Sequence, residues 1–275
     1  MSTPLIFYDI SSPLQPRSYA PNPSKTRLAL SFKRVPFTTK WVDILDIPAT
    51  RKALNCAAVR KLDDGSDYYT LPMLQDPASG AVVGDSFDIA NYLEQQFPDS
   101  GGCLFPKGST RTGLDYVTPF KDSVFYAPLS IRDGADNPEY AEFNVNVDTT
   151  FTVNMQLVGY FLPFNPETAE ECRVLFAKRA HLPSWETLRV PPEDRPKLMA
   201  AFKDAIATLA ACFKVHDGPY LEGQQANYAD LIVGGWLNCF FETMPAEEWA
   251  EFRTWHDGVF ARLHDALQKD HYICN

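Results

Sequence analysis

The sequence predicts an α/β domain followed by an all-α domain. Two observations carry this reading. The N-terminal third alternates strand-like and helix-like segments in a β-α-β, then β-β-α order, and beyond a breaker-rich stretch near residue 100 the apolar pattern changes to helical periods. Leu5 to Tyr8 reads as a strand, and Ser24 to Lys33 as a helix with Leu28, Leu30 and Phe32 apolar. Phe37 to Val42 reads as a second strand and Ala49 to Ala57 as a weaker helix. Asp63-Asp64-Gly65-Ser66-Asp67 is a polar loop that lengthens the next connection and is placed to shape a site entrance. A strand containing Pro72, a hairpin strand at Ala81 to Gly84 and a helix opening at Asp85 complete the unit. Pro98-Asp99-Ser100-Gly101-Gly102 and Pro106-Lys107-Gly108 form the linker, which divides the chain into 1–106 and 107–275. Beyond it, Glu167 to Lys178, Glu193 to Phe213 and Tyr228 to Phe241 carry helical periodicity, and no repeat is present.

Tyr69 to Leu93 is the most informative stretch. A proline in an otherwise strand-like run removes a ladder donor, so Pro72 belongs at a strand start or an edge, with a cis peptide after Leu71 as one option. That leaves the backbone amide and carbonyl of Leu71 for an extended ligand. Asp85-Ser86 then opens an amphipathic helix with Ile89, Ala90 and Leu93 on one stripe. A helix start with a hydroxyl and unpaired amides suits a carboxylate. An exposed strand edge beside such a terminus suits a short, anionic, extended peptide.

This arrangement resembles the glutathione site of the glutathione transferases, in which a thioredoxin-like domain pairs the cysteinyl backbone of glutathione with the residue before a cis-proline. The resemblance gives that role to Leu71 and Pro72, and assigns the γ-glutamyl end to Asp85 and Ser86. A second segment supports it. Gly218-Pro219-Tyr220-Leu221-Glu222-Gly223 leads into Asn227-Tyr228-Ala229-Asp230, where Asn227 caps a helix and Asp230 reaches back as its capping-box partner. The family has Ser or Thr at the Asn227 position. The likeness is strong over 4–106 and looser over 110–265. It implies glutathione as co-substrate, hydrophobic aromatic acceptors and a homodimer.

Composition narrows the alternatives. Hydrophobic content of 45% in 275 residues indicates a folded globular chain. A net charge of -10 with no basic run argues against nucleic acid or an anionic membrane as partner. No apolar stretch approaches the ~20 residues of a membrane span, and Met1-Ser2-Thr3-Pro4 lacks the pattern of a signal peptide, so a cytoplasmic protein is expected. The six cysteines are scattered, without metal-ligand spacing to the five histidines. They are expected to be reduced and mostly core, and no metal is expected. His256, His264 and His271 are read as a solvated helix face.

A glutathione transferase must stabilise a thiolate, because a free thiol with a pKa of ~8.5 is mostly protonated at neutral pH. The donor belongs in the loop entering the first helix, Arg17 to Arg27, which contains no cysteine. What remains resembles the fungal serine-type omega and fungal-specific A classes, and more distantly the bacterial β-etherases through Lys25-Thr26-Arg27-Leu28-Ala29-Leu30. Aligned on Arg27, the etherase serine falls at Ala20, so Ser24 and Asn22 are the candidate catalytic residues. Tyr8 is read as core. Arg17, Lys40 and Lys52 remain open as the cation for the glycyl carboxylate. Phe120, Phe125, Tyr126 and Phe161 to Phe164 are candidate walls of the acceptor pocket. The leading expectation is a transferase or etherase-like detoxification enzyme. A non-catalytic binder of aromatic compounds is the alternative, and a regulatory or scaffold domain a third.

Overall fold

A computed structural model describes residues 3–107, 113–125, 127–132 and 135–272. Strands β1 (Leu5–Ile10), β2 (Phe37–Val42), β5 (Met73–Gln75) and β6 (Val82–Val83) form one sheet in the order β2-β1-β5-β6. β2 is parallel to β1, and β5 is antiparallel to both β1 and β6. Helices α1 (Pro21–Phe32), α2 (Ile47–Ala53) and α3 (Ser86–Gln96) complete a thioredoxin-like domain. The Asp63 to Asp67 loop is the tip of a small hairpin, β3 (Arg60–Lys61) with β4 (Asp67–Tyr68), turned at Gly65 with φ +80°. That φ lies in the region glycine adopts at little cost.

Strand alternation gives the sheet two different faces. Leu5, Phe7 and Leu74 join the main core with α1, α3 and the helical domain, whereas Tyr8, Val42 and Met73 face α2 and the Phe164 to Trp185 region. Tyr8 is a core residue, as read, and its hydroxyl donates to Gln75 at 2.8 Å.

The second domain comprises α4 (Pro138–Val153), α5 (Ala169–Arg179), α6 (Arg195–Ala205), α7 (Ala207–Cys212), α8 (Tyr228–Thr243), α9 (Ala246–Phe252) and α10 (Val259–His271). The helix expected over Glu193 to Phe213 is two, divided at Ile206. Helix α8 is buried along almost its whole length, with Leu231, Ile232, Val233, Leu237 and Phe240 fully enclosed. Each such side chain contributes roughly 1.5–3 kcal/mol of burial. Its capping box is present: the Asn227 side chain accepts from Ala229 N at 2.9 Å, and Asp230 accepts from the amides of Asn227 at 2.8 Å and Leu221 at 2.7 Å.

Polar groups lock α8 to α1. Gly235 lets α1 approach closely, since a Cβ there would lie 2.6 Å from Lys25 Cγ and 2.7 Å from the Pro21 carbonyl. Lys25 is fully buried and donates to Asp148 at 2.5 Å and Asn144 at 2.8 Å, both on α4. Trp236 of α8 donates to the same Asp148 oxygen at 2.6 Å.

The histidines correct one expectation. His264 is buried rather than solvated, packed against Phe241 and Trp249, with neither ring nitrogen hydrogen-bonded among the described residues. Burial pushes its pKa down to about 4, although Asp265 lies 3.8 Å away and opposes the shift. A histidine with a depressed folded pKa contributes stability that is intact above its unfolded pKa of ~6.5 and lost as pH falls toward the folded value. Unfolding midpoints are therefore expected to fall between pH ~6.5 and ~4, by on the order of 3 kcal/mol of stability, and a His264→Phe variant should flatten this limb. An acid limb that is identical in the two proteins contradicts the assignment.

Candidate functional site

The peptide between Leu71 and Pro72 is cis, and Pro72 immediately precedes β5. Among the described residues neither the amide nor the carbonyl of Leu71 is hydrogen-bonded, so this edge is open to an extended partner. One side chain organises its surroundings. The fully buried Arg51 donates to the carbonyls of Thr70 at 2.6 Å, Gly84 at 2.9 Å and Ala57 at 2.5 Å. It thus ties the segment before Pro72 to the segment before α3. Sequence reasoning passed over Arg51, because a buried arginine served by carbonyls leaves no charge pattern in the chain.

The helix opens at Asp85-Ser86, as read, but its first amides are not unpaired: Asp85 is the N-cap of α3, and its Oδ1 takes the amides of Phe87 at 2.8 Å and Asp88 at 3.4 Å. Those amides are therefore satisfied within the helix. Its Oδ2 accepts from Ser130 at 2.7 Å and lies 3.2 Å from Arg132, which also sits 3.0 Å from Asp88. A strap from the segment after the linker thus lies against Asp85. Ser86 is 3% exposed, and its carbonyl accepts from Tyr228 of α8 at 2.9 Å. Its hydroxyl makes no hydrogen bond among the described residues.

The start of α1 differs from the expectation. The helix begins at Pro21, because proline is tolerated in the first turn, where its missing donor would have no partner. Pro21 and Pro23 carry no N–H, and Ser24 N donates to Ala20 O at 3.0 Å. Asn22 therefore holds the one unpaired amide of this turn among the described residues, and its side-chain amide is likewise unbonded. Ser24 is fully buried, and its hydroxyl accepts from Asn238 of α8 at 2.9 Å. Asn238 also donates to Ser18 O at 2.6 Å, pinning the preceding loop. Ser24 thus faces α8 and is no part of the cleft wall, which corrects its placement beside a substrate sulfur.

The loop is held from below by Arg27, which donates to Ser18 Oγ at 2.8 Å and pairs with the buried Asp9 at 3.1 Å. Ser18 Oγ in turn donates to Asp9. Burial raises the Asp9 carboxyl, opposed by the Arg27 charge.

Asn22, Leu71 and Thr70 line one cleft of about 190 Å³. Its far side is built by Met155, Leu162 and Phe176 of the helical domain. Phe120 and Phe125 do not line it, Phe164 is core against Trp185, and Tyr126 lies outside the described residues. Tyr19, not weighed from the sequence, also lines the cleft, and burial drives its phenol well above the ordinary value, so it stays protonated at neutral pH. Cys239 faces the cleft from α8, with burial pushing its thiol up to about 12, so it stays protonated at neutral pH. A larger hollow of about 720 Å³ between Phe32, Cys103 and His271 shares no residue with this cleft. Of the open cations, Arg17 pairs with Glu242 at 3.2 Å, Lys40 lies over Tyr8, and Lys52 lies over Tyr69 at the cleft. Among the described residues no group of three metal-ligating side chains is present, and no helix is long and apolar enough to cross a membrane.

Comparisons with known proteins place the chain in a family. Residues 19–96 match the glutathione S-transferase N-terminal domain and residues 176–271 the C-terminal domain. The chain is 32% identical to the glutathione S-transferase-like protein ustS of Aspergillus flavus, over 97% of this chain and 91% of that one. Glutathione transferase GSTFuA3 from Phanerochaete chrysosporium superposes with a TM-score of 0.77 at 25% identity, covering 99% of both chains. A glutathione S-transferase of Ceriporiopsis subvermispora, solved in complex with glutathione, shares the fold with a TM-score of 0.77 at 24% identity, covering 98% of this chain and 99% of that one. This chain therefore belongs to the glutathione S-transferase family.

Proposed function

We propose that the protein binds glutathione along the Leu71 edge and conjugates it, through its sulfur, to hydrophobic aromatic electrophiles held in the cleft. The observation that carries this reading is the juxtaposition of two unsatisfied backbone elements, the open Leu71 peptide groups and the free Asn22 amide, on one cleft. The cysteinyl backbone of glutathione pairs with Leu71, and its γ-glutamyl carboxylate takes the Ser86 hydroxyl. The sulfur then lies at the start of α1, where the helix presents roughly half a positive charge. Asn22 adds a backbone and a side-chain donor, and each ~1.4 kcal/mol by which they favour the thiolate lowers its pKa by about one unit. In this reading 1–106 supplies the glutathione site and 107–275 the acceptor wall. Cytoplasmic detoxification by a homodimer, with etherase-type cleavage as a variant of the same sulfur attack, completes it.

Ser86→Ala is expected to weaken glutathione binding about 5- to 30-fold by calorimetry, the equivalent of one lost charge-assisted hydrogen bond of roughly 1 to 2 kcal/mol. Unchanged affinity rules out this placement. A second reading is favoured by Ala20 at the helix cap and by the burial of Ser24, which leave the cleft, among its described lining residues, without a serine hydroxyl or an activated cysteine at the start of α1. In that reading the protein sequesters aromatic compounds without conjugating them. Turnover of 1-chloro-2,4-dinitrobenzene with glutathione decides between the two, since a pure binder retains affinity and shows no product.

A further inference from the structure

The cleft carries charge of one sign. Arg60 and Arg179 are among its described lining residues and no aspartate or glutamate is, in a chain whose net charge is -10. Both guanidinium groups sit against Tyr68, another lining residue, at 5.0 and 5.1 Å from the ring centroid. They differ in their other partners. Arg60 is engaged, donating to the Pro128 carbonyl at 2.7 Å and the Thr70 hydroxyl at 2.8 Å. The side chain of Arg179, the last residue of α5, makes no hydrogen bond or ion pair among the described residues, and the Tyr68 ring is its one charge or ring contact there. A guanidinium with a full set of unused donors beside the apolar side chains of Met155, Leu162 and Phe176 is matched to an anion carried on an apolar body.

We propose that Arg179 is a specificity-determining residue that reads an anionic group, a carboxylate or phenolate, on an aromatic acceptor. The inference rests on the transferase reading and names the acceptor class within it. With 4-chloro-3,5-dinitrobenzoate as the acceptor, the glutathione thiolate attacks the chlorine-bearing ring carbon. The sulfur–carbon bond forms, the carbon–chlorine bond breaks, chloride leaves with the bonding pair, and the thiol proton passes to solvent. The ring carboxylate takes no part in the bond changes and serves as the handle for Arg179. The glycyl carboxylate of glutathione offers Arg179 the same chemistry, so the test separates the two sources.

The full chain and its Arg179→Gln and Arg179→Lys variants are titrated calorimetrically with 3,5-dinitrobenzoate, with 1,3-dinitrobenzene and with glutathione. In parallel, kcat/KM is measured for 4-chloro-3,5-dinitrobenzoate and for 1-chloro-2,4-dinitrobenzene. The proposal expects the preference for the anionic over the neutral ligand to fall about tenfold in Arg179→Gln and to be partly restored in Arg179→Lys, in binding and in turnover alike. An unchanged preference overturns it, as does a loss confined to glutathione affinity, which would assign Arg179 to the glycyl carboxylate. A wild type that binds 3,5-dinitrobenzoate no better than 1,3-dinitrobenzene also overturns it. Should the wild type conjugate neither acceptor, the transferase reading fails on its own, and the calorimetric preference still decides the role of Arg179.

Discussion

Asp148→Ala is expected to remove about 3–5 kcal/mol of stability, a large share of the 5–15 kcal/mol typical of a domain. Asp148 accepts from Lys25, Trp236 and Asn144 in a buried site. Truncation leaves an ammonium and an indole N–H buried beside lost partners, and the desolvation penalty of the ammonium dominates. Because Lys25 lies in the first turns of α1 and Asp148 on α4, the same change loosens the start of the helix that faces the cleft. Urea unfolding monitored by tryptophan fluorescence reads the loss. A double variant, Lys25→Met with Asp148→Leu, should recover most of it, since replacing both members of a buried pair with apolar residues is often neutral. A single variant with wild-type stability contradicts the buried pair.

Arg51→Met is expected to cost about 3 kcal/mol and to lower glutathione affinity at least tenfold. The arginine serves carbonyls on both sides of the binding edge, at Thr70 and at Gly84, so its loss frees the two segments that carry Leu71 and Asp85. Arg51→Lys should rescue little of this, because an ammonium cannot reach carbonyls spread around a planar fork. Glutathione calorimetry on the folded fraction separates the effect on the site from the effect on stability. Normal affinity in Arg51→Met would show that the Leu71 edge holds its shape without the clamp.

The parts of the fold legible in the sequence were those whose buried faces are apolar. β1, β2, α3 and α8 announce themselves through alternation, amphipathic spacing or caps, and the capping box of α8 reads directly from Asn227 and Asp230. Helix α4 escaped because its inward face mixes the apolar Tyr140, Phe143, Val147 and Phe151 with Asn144, Asp148 and Thr150, which pair with Lys25 and Thr118 and dilute the apolar stripe. The same physics displaced Ser24: a serine in a polar loop resembles a catalytic donor until Asn238, more than two hundred residues later, is seen to occupy its hydroxyl. The cis peptide at Leu71-Pro72 and the helix start at Asp85-Ser86 were legible because each is a local feature of two adjacent residues. The cleft's cations were not, since Arg60 and Arg179 meet at Tyr68 only through the packing of the two domains.

The central claim is that the open start of α1 holds the glutathione thiolate. Its most direct test is the ionisation of the bound thiol, followed by ultraviolet difference spectroscopy as pH is varied on the wild type, Asn22→Ala, Asn22→Pro and Ser24→Ala. The account predicts a thiol titrating at least one unit below the ~8.5 of a free thiol in the wild type. Asn22→Ala moves it alkaline by losing the side-chain donor. Asn22→Pro moves it further by also removing the backbone N–H, in a first turn that tolerates proline. Ser24→Ala leaves it in place. A bound thiol that ionises at its solution value in the wild type, or one that responds to Ser24 and ignores Asn22, contradicts the account.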